Sequence, residues 1–211
     1  MSEASAALKP RKSPVQARAL ATVSALHTAT IQVLTREGVG GCTTTRVAER
    51  AGMSVGSLYQ YYPNRDALLA AVLEKHLDTV AGAVEHVCRV HRDKPVLEMA
   101  SALVTTFLAT KLRDPQESKA LYAVAGDRGG AELAARAQAR IVAAIATMLT
   151  SAPDAHFEDP STTATIALNA LMGPVRAWLD GHAQAGFDAR LEGHLVRLLT
   201  AYLQTHRLPP P

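Results

Sequence analysis

Residues 43–62 read TTTRVAERAGMSVGSLYQYY, and no other stretch limits the fold of the chain so tightly. Thr44 is a good N-cap, a side chain whose oxygen accepts an orphan backbone N–H of the first helical turn. Val47 and Ala51 then fall on one face of a short helix, with Ala48 beside them where only a small side chain fits. Gly52 ends that helix, because the residue after a helix often takes the left-handed backbone that glycine adopts without a Cβ penalty. Ser54 caps the next helix. Leu58 and Tyr61 are expected on its inner side, with Val55, Ser57, Tyr59 and Gln60 facing out. Two short helices joined by a tight glycine turn make a helix-turn-helix, and the second helix is the one that enters a DNA major groove.

The run T-T-x-x-x-A-x-x-A-G-x-S-x-G-x-L-Y-x-Y, followed by Tyr62, Arg65 and Leu68, resembles the DNA-binding domain of the TetR family of transcriptional regulators. The resemblance spans about Leu20 to Val80. Arg65 stands where the family more often has lysine; both are cationic, so a phosphate contact carries over. The DNA-binding residues expected on this basis are Thr44, Thr45, Arg46, Ser54, Val55, Gly56, Ser57, Tyr59, Gln60, Tyr61 and Arg65. Within that set, Gln60 and Ser57 are expected to read base edges. Tyr59 and Tyr61 would use rings and hydroxyls on thymine methyls and phosphates.

Composition agrees with a helical chain. Aromatics are only 4% of the residues while alanine and leucine dominate, which favours helices, and no convincing alternating strand pattern occurs. The basic excess is local. Residues 1–66 hold eight Lys/Arg against four Asp/Glu, and residues 67–211 hold fourteen against fifteen, so the positive charge sits with the helix-turn-helix, as a nucleic-acid footprint should. Cys42 and Cys88 have no CxxC partner, which suits a reduced, intracellular chain. No signal peptide and no membrane-spanning run is read from the sequence, so the expected location is the cytoplasm.

The rest of the chain reads as helices in order. Residues 1–13 form a basic tail whose Lys9, Arg11 and Lys12 could touch DNA. Ser13-Pro14 starts a first helix with Val23, Leu26, Thr30 and Val33 inward, ending at Gly38. Asn64 caps a long fourth helix carrying Leu68, Leu69, Val72 and Leu77 towards Val90. Helices are expected over 95–112, 116–124 and 131–149. GDRGG and SAPDAHFEDP are loops. The division is a tail over 1–13, a DNA-binding domain over 14–80 and an effector-binding and dimerisation domain over 81–211. The fold class is all-α, with a homeodomain-like three-helix reading domain in front of a helical C-terminal domain.

Two C-terminal segments carry seams. Leu168, Leu171, Val175 and Trp178 repeat at three and four, as do Leu191, Leu195, Leu198 and Tyr202. A mean spacing of 3.5 marks helix-on-helix packing. The seams face either the chain's own core or a second copy. Dimerisation is expected through Leu168, Leu171, Val175, Leu191, Leu195, Leu198 and Tyr202. The family resemblance implies the same, a four-helix interface with two helices from each subunit. Gly173-Pro174 is expected to kink the first segment, either opening one wall of a cavity or only accommodating packing. An effector site is placed there, with Phe107, Leu121, Tyr122, Met148, Met172 and Trp178 as apolar walls and Asn169 and His156 as polar handles.

An enzyme reading has one literal match. Gly52-Met53-Ser54-Val55-Gly56 fits the nucleophile elbow G-x-S-x-G, but the elbow needs a strand before its serine and this one follows a helix. His86 and His91, five apart, do not stack as metal ligands, so neither a metal nor a cofactor is expected. The sequence therefore reads as a homodimeric, ligand-responsive repressor. It would bind a palindromic operator in double-stranded DNA and release it to a small-molecule effector. An effector-independent architectural DNA-binding protein is the alternative.

Overall fold

In the computed structural model, residues 14–126, 130–183 and 186–206 are described. The basic arm with Lys9, Arg11 and Lys12, the residue Ser13 and the middle of GDRGG lie outside them. The described residues form nine helices and no strand. They are α1 (Pro14–Gly41), α2 (Thr44–Arg50), α3 (Val55–Tyr59), α4 (Arg65–Val90), α5 (Val96–Lys111), α6 (Pro115–Ala125), α7 (Gly130–Thr150), α8 (Pro160–Leu179) and α9 (Phe187–Gln204). The chain divides into two compact units between Val72 and Leu73, inside α4.

The first unit is built on α1. Leu26, Ala29, Thr30, Val33 and Leu34 are buried at helical spacing, and the Thr30 hydroxyl donates to the Leu26 carbonyl at 2.7 Å, so its burial leaves no orphan group. The helix is interrupted at Gly38, whose φ of 70° and ψ of −179° suit glycine alone, and one further turn runs on to Gly41. The N-cap of α2 is Thr43, which accepts from Arg46 N at 3.3 Å, rather than Thr44. Thr44 sits in the first turn with its hydroxyl 3.3 Å from that of Tyr59. Val47 and Ala48 are fully buried and Ala51 is half-buried.

The turn between α2 and α3 is a Schellman motif. Gly52 has φ 68°, Gly52 N donates to Glu49 O, and Met53 N donates to Ala48 O. Ser54 caps α3 by accepting from Ser57 N at 3.1 Å, as expected. The second helix is shorter than the sequence suggested, ending at Tyr59 instead of near Tyr62. Tyr61 N and Tyr62 N both close onto Leu58 O, a tight turn that shifts the helical phase. Tyr62 therefore turns inward, while Tyr61, expected inside, is exposed at 36%. Asn64 caps α4 through Ala67 N at 2.8 Å.

In the second unit α5 packs on α9 and α7 on α8, around one apolar core that also takes in Ala155 and Phe157 from the SAPDAHFEDP loop. Asp114 and Asp159 cap α6 and α8. Both C-terminal seams face this core. Leu168, Leu171, Val175, Leu191 and Leu195, expected at a dimer interface, are all at or below 2% exposure within the chain itself. Tyr202 is half-buried against His206, and only Leu198 of the expected set stands out, at 50%. A 3.5-residue repeat reports burial without naming the neighbour, and here the neighbour is the same chain. α8 runs unbroken through Pro174. That proline lines an outward groove with Phe187, Arg190, His194 and Leu198 instead of the wall of the interior cavity.

Candidate functional site

The first unit presents α3 and the residues flanking it. Thr45, Arg46, Ser54, Gly56, Tyr59, Gln60 and Tyr61 are exposed, while Thr44, Val55 and Ser57 are half-buried. Val55 and Ser57 are therefore less outward than their helical positions suggested. Part of Ser57 is held by the cap, its hydroxyl lying 2.8 Å from that of Ser54. Arg46 pairs with Glu37 and donates to Gly41 O at 3.0 Å. Arg65 has a structural task that the sequence did not reveal. Its Nε donates to Cys42 O at 2.6 Å and its Nη2 to Val39 O, so the guanidinium closes the α1–α2 turn, with Nη1 near Asp66. A Cβ added at Gly56 would meet only Ser54 Oγ, at 3.8 Å, so the fold itself leaves room for a side chain there.

The hydrolase geometry is absent at Ser54. A helix and the Gly52 turn precede it, and its oxygen caps α3. His86 contacts Arg89 and His91 contacts Val87 O, and no cluster able to hold a metal occurs among the described residues. Cys42 and Cys88 are buried free thiols. Burial pushes them up to about 11 and about 12, opposed by Arg65 and Arg92 respectively, so neither is a thiolate at neutral pH.

The second unit holds a partly open cavity of about 230 Å³. Its wall is assembled from five helices: Leu73, His76, Leu77 and Val80 of α4, Phe107 and Lys111 of α5, Ser118, Leu121 and Tyr122 of α6, Ala137, Gln138 and Ile141 of α7, and Leu168, Met172 and Arg176 of α8. Of the expected apolar walls, Phe107, Leu121, Tyr122 and Met172 line this cavity. Met148, at 1% exposure, is core filling. Asn169 faces outward, its amide on Thr165 O at 2.8 Å. Trp178 packs on the core away from the cavity, and His156 is exposed in its loop. Asn169 and Trp178 sit on helical turns whose phase takes them past the opening.

The cavity's polar groups went unrecognised in the sequence. Lys111 is buried, and burial alone brings its ammonium down to about 8. Its Nζ lies 3.5 Å from His76 Nε2 and 4.4 Å from the centre of the Tyr122 ring. His76 Nδ1 is 3.2 Å from Glu117 Oε1. Burial, then Lys111 and Arg113, hold His76 down to about 4, so the contact with Glu117 is a hydrogen bond from a neutral imidazole rather than an ion pair. Burial raises Glu117 from its ordinary value, and Tyr122 likewise. A signal for Lys111 did exist: it follows Leu103 and Phe107 at steps of four, a cation in phase with a buried stripe.

Residues 26–72 match the family described as "Bacterial regulatory proteins, tetR family". Residues 95–203, just over half the chain, match "Tetracyclin repressor-like, C-terminal domain". The chain belongs to the TetR family. It is thus a DNA-binding transcriptional regulator by family, with the helix-turn-helix in its first unit. Solved TetR-like structures share the fold at low identity. A TetR-family regulator from Mesorhizobium loti superposes with a TM-score of 0.75 at 19% identity, covering 90% of this chain and 99% of that one. A transcriptional regulator from Rhodococcus sp. Rha1 gives 0.73 at 21%, covering 89% and 99%. The transcriptional regulator FadR from Bacillus subtilis, in complex with stearoyl-CoA, gives 0.70 at 12%, covering 85% and 98%. No curated protein matches the sequence. No helix among the described residues is long and apolar enough to cross a membrane.

Proposed function

We propose that this TetR-family protein is a homodimeric, ligand-responsive repressor whose operator affinity falls when a small molecule enters the second unit. One observation carries the reading. α4 supplies Leu68, Leu69 and Val72 to the core of the reading unit, and its next turns supply Leu73, His76, Leu77 and Val80 to the cavity wall. A ligand that moves those turns acts on a helix whose first turns are part of the reading unit's core. Dimerisation would use the outer faces of α8 and α9, where Ile166 and Leu198 are exposed at 48% and 50% and Gly173 has open space in front of it. A two-fold dimer pairs with a palindromic operator whose half-sites lie about one helical turn apart, roughly 34–36 Å. An architectural DNA-binding protein needs no such cavity. Of the TetR-like structures above, FadR holds a small molecule, which supports a ligand reading of the fold.

The test is a ligand found by thermal shift, titrated with and without operator DNA. Coupling is expected at about 1–3 kcal/mol and must be reciprocal, so DNA weakens the ligand by the factor by which the ligand weakens DNA. Equal ligand affinity in the two titrations would defeat the regulatory reading.

A further inference from the structure

Among the described residues, the charged side chains that line the cavity, Lys111 and Arg176, are of one sign. Lys111, at 6% exposure, has no carboxylate within ion-pair distance among the described residues. Its nearest polar partner is the neutral His76. Arg176 stands on the other side of Tyr122, its guanidinium carbon 5.4 Å from the ring centre, and the ring lies between two cations. The Tyr122 hydroxyl oxygen is shielded from water and has no hydrogen-bond partner among the described residues. Of the nearest acids, Glu117 is separated from Lys111 by the His76 ring, and Asp180 meets Arg176 at 3.5 Å one turn along α8. The remaining wall is apolar, with Leu73, Phe107, Leu121, Ile141, Leu168 and Met172.

We propose that the cavity binds a monocarboxylate with an apolar body, its carboxylate held by Lys111 and Arg176 next to the Tyr122 hydroxyl. The proposal rests on the effector reading above and gives the effector a chemical class. A buried cation without a counter-charge is costly, and a bound anion offsets that cost. A neutral apolar guest leaves Lys111 and the Tyr122 hydroxyl unpaired, and a cationic guest meets two like charges. Size sets the other limit: about 230 Å³ at protein packing density holds roughly ten non-hydrogen atoms.

Octanoate, octanamide and octylamine share one chain and differ in the head group, and they can be titrated into the full-length protein by calorimetry. Octanoate is expected to bind at least about tenfold more tightly than octanamide, as for a hydrogen bond to a charged partner, and octylamine not at all. Lys111→Met should cut the preference for octanoate over octanamide to the part that Arg176 supplies, without lowering octanamide affinity. Arg176→Gln, at an exposed position, should reduce the same preference and provides the comparison if Lys111→Met does not fold. The wild-type protein supplies a test without mutation. Around Lys111 stand His76 from α4 with Glu117 of α6 behind it, Tyr122 from α6 with Arg176 of α8 across its ring, and Arg113 beyond its own helix end, while the α7 lining offers only the uncharged Gln138 among its polar groups. A carboxylate raises the Lys111 pKa, so octanoate affinity should be flat from about pH 6, where the ligand is fully ionised, to just below pH 8. Above it, affinity should fall by up to tenfold per pH unit, with proton uptake seen as a buffer-dependent heat at pH 8.

Octanamide binding as tightly as octanoate, affinity unchanged from pH 7 to pH 9, or no binding by any of the three overturns the carboxylate site. The two proposals fail separately. Octanoate binding with the stated preference but leaving operator affinity unchanged defeats the effector reading and keeps the carboxylate site. Operator release by a neutral ligand, with no preference for the acid, does the reverse.

Discussion

His27 on α1 and Tyr62 beyond α3 share a 2.7 Å hydrogen bond between Nε2 and the phenol oxygen, with their rings 6.0 Å apart. This bond joins the scaffold helix to the segment that leaves the recognition helix. Burial raises the Tyr62 pKa, so its hydroxyl stays protonated throughout the neutral range. Tyr62→Phe keeps the ring and removes the bond. A loss of about 1 kcal/mol in chemical denaturation is expected, together with weaker binding to every DNA sequence. Tyr61→Phe, at an exposed position, should leave stability unchanged.

Arg65 offers a separation of two roles. Its bonds to Val39 O and Cys42 O hold the α1–α2 turn, so Arg65→Ala should lower the melting temperature. A phosphate contact through the remaining N–H groups would add a second effect, a salt dependence of DNA binding shallower by about one unit. Both are expected. Lower stability with an unchanged salt slope would confine Arg65 to the turn.

Gly56 and Gln60 test the DNA face from opposite directions. Because the fold has room for a Cβ at Gly56, Gly56→Ala should stabilise α3 by about 0.5–1 kcal/mol. It should nonetheless weaken operator binding if backbone and DNA approach closely there. Gln60 is exposed, and glutamine can pair bidentately with adenine. Binding-site selection with Gln60→Ala should relax the preference at one position of each half-site. An identical selected sequence would remove Gln60 from base reading.

Leu195 and Leu198 lie less than one turn apart on α9 and should behave differently. Leu195 is sealed in the protomer core, so Leu195→Ala should cost about 2–5 kcal/mol of stability. Leu198 stands out at 50% exposure, and Leu198→Glu should give a folded monomer in sedimentation. A Leu198→Glu protein that remains dimeric would move the interface away from α9.

Lys111 makes stability depend on pH in a known direction. Its pKa is about 8 in the folded protein against an ordinary 10.5, so the unfolded chain binds the extra proton between those values. Stability should therefore rise from pH 8 to pH 10.5 and be lower, by a constant amount, below pH 8. Lys111→Met removes the penalty, with an expected gain of about 1–3 kcal/mol at pH 7 in the absence of ligand. His76 is depressed as well, from 6.5 to about 4, so stability should fall as pH drops from 6.5 to 4. His76→Gln should flatten that limb in thermal scans.

The reading head was legible in the sequence because it is written locally. Ser54 and Asn64 meet their backbone partners three residues on, and the Gly52 turn closes within six residues. Even here phase drifted by a residue at both ends. Thr43 took the cap expected of Thr44, and Tyr62 took the inward place expected of Tyr61, because a five-residue helix followed by a tight turn does not keep a 3.6-residue period. The all-α class and the order of the helices were also set by sequence pattern alone.

What the tertiary structure decided is which surfaces meet. A periodic seam states that Leu168, Leu171, Val175, Leu191 and Leu195 are buried, but only packing shows that α5 and α7 cover them and that Leu198 is left outside. The cavity is a relation among five helices. His76 and Lys111 are 35 residues apart in the chain and 3.5 Å apart in space, and Arg176 reaches the Tyr122 ring from 54 positions further on. Helical periodicity fixes the direction of a side chain relative to its own axis and carries no information about the charge that faces it from another helix.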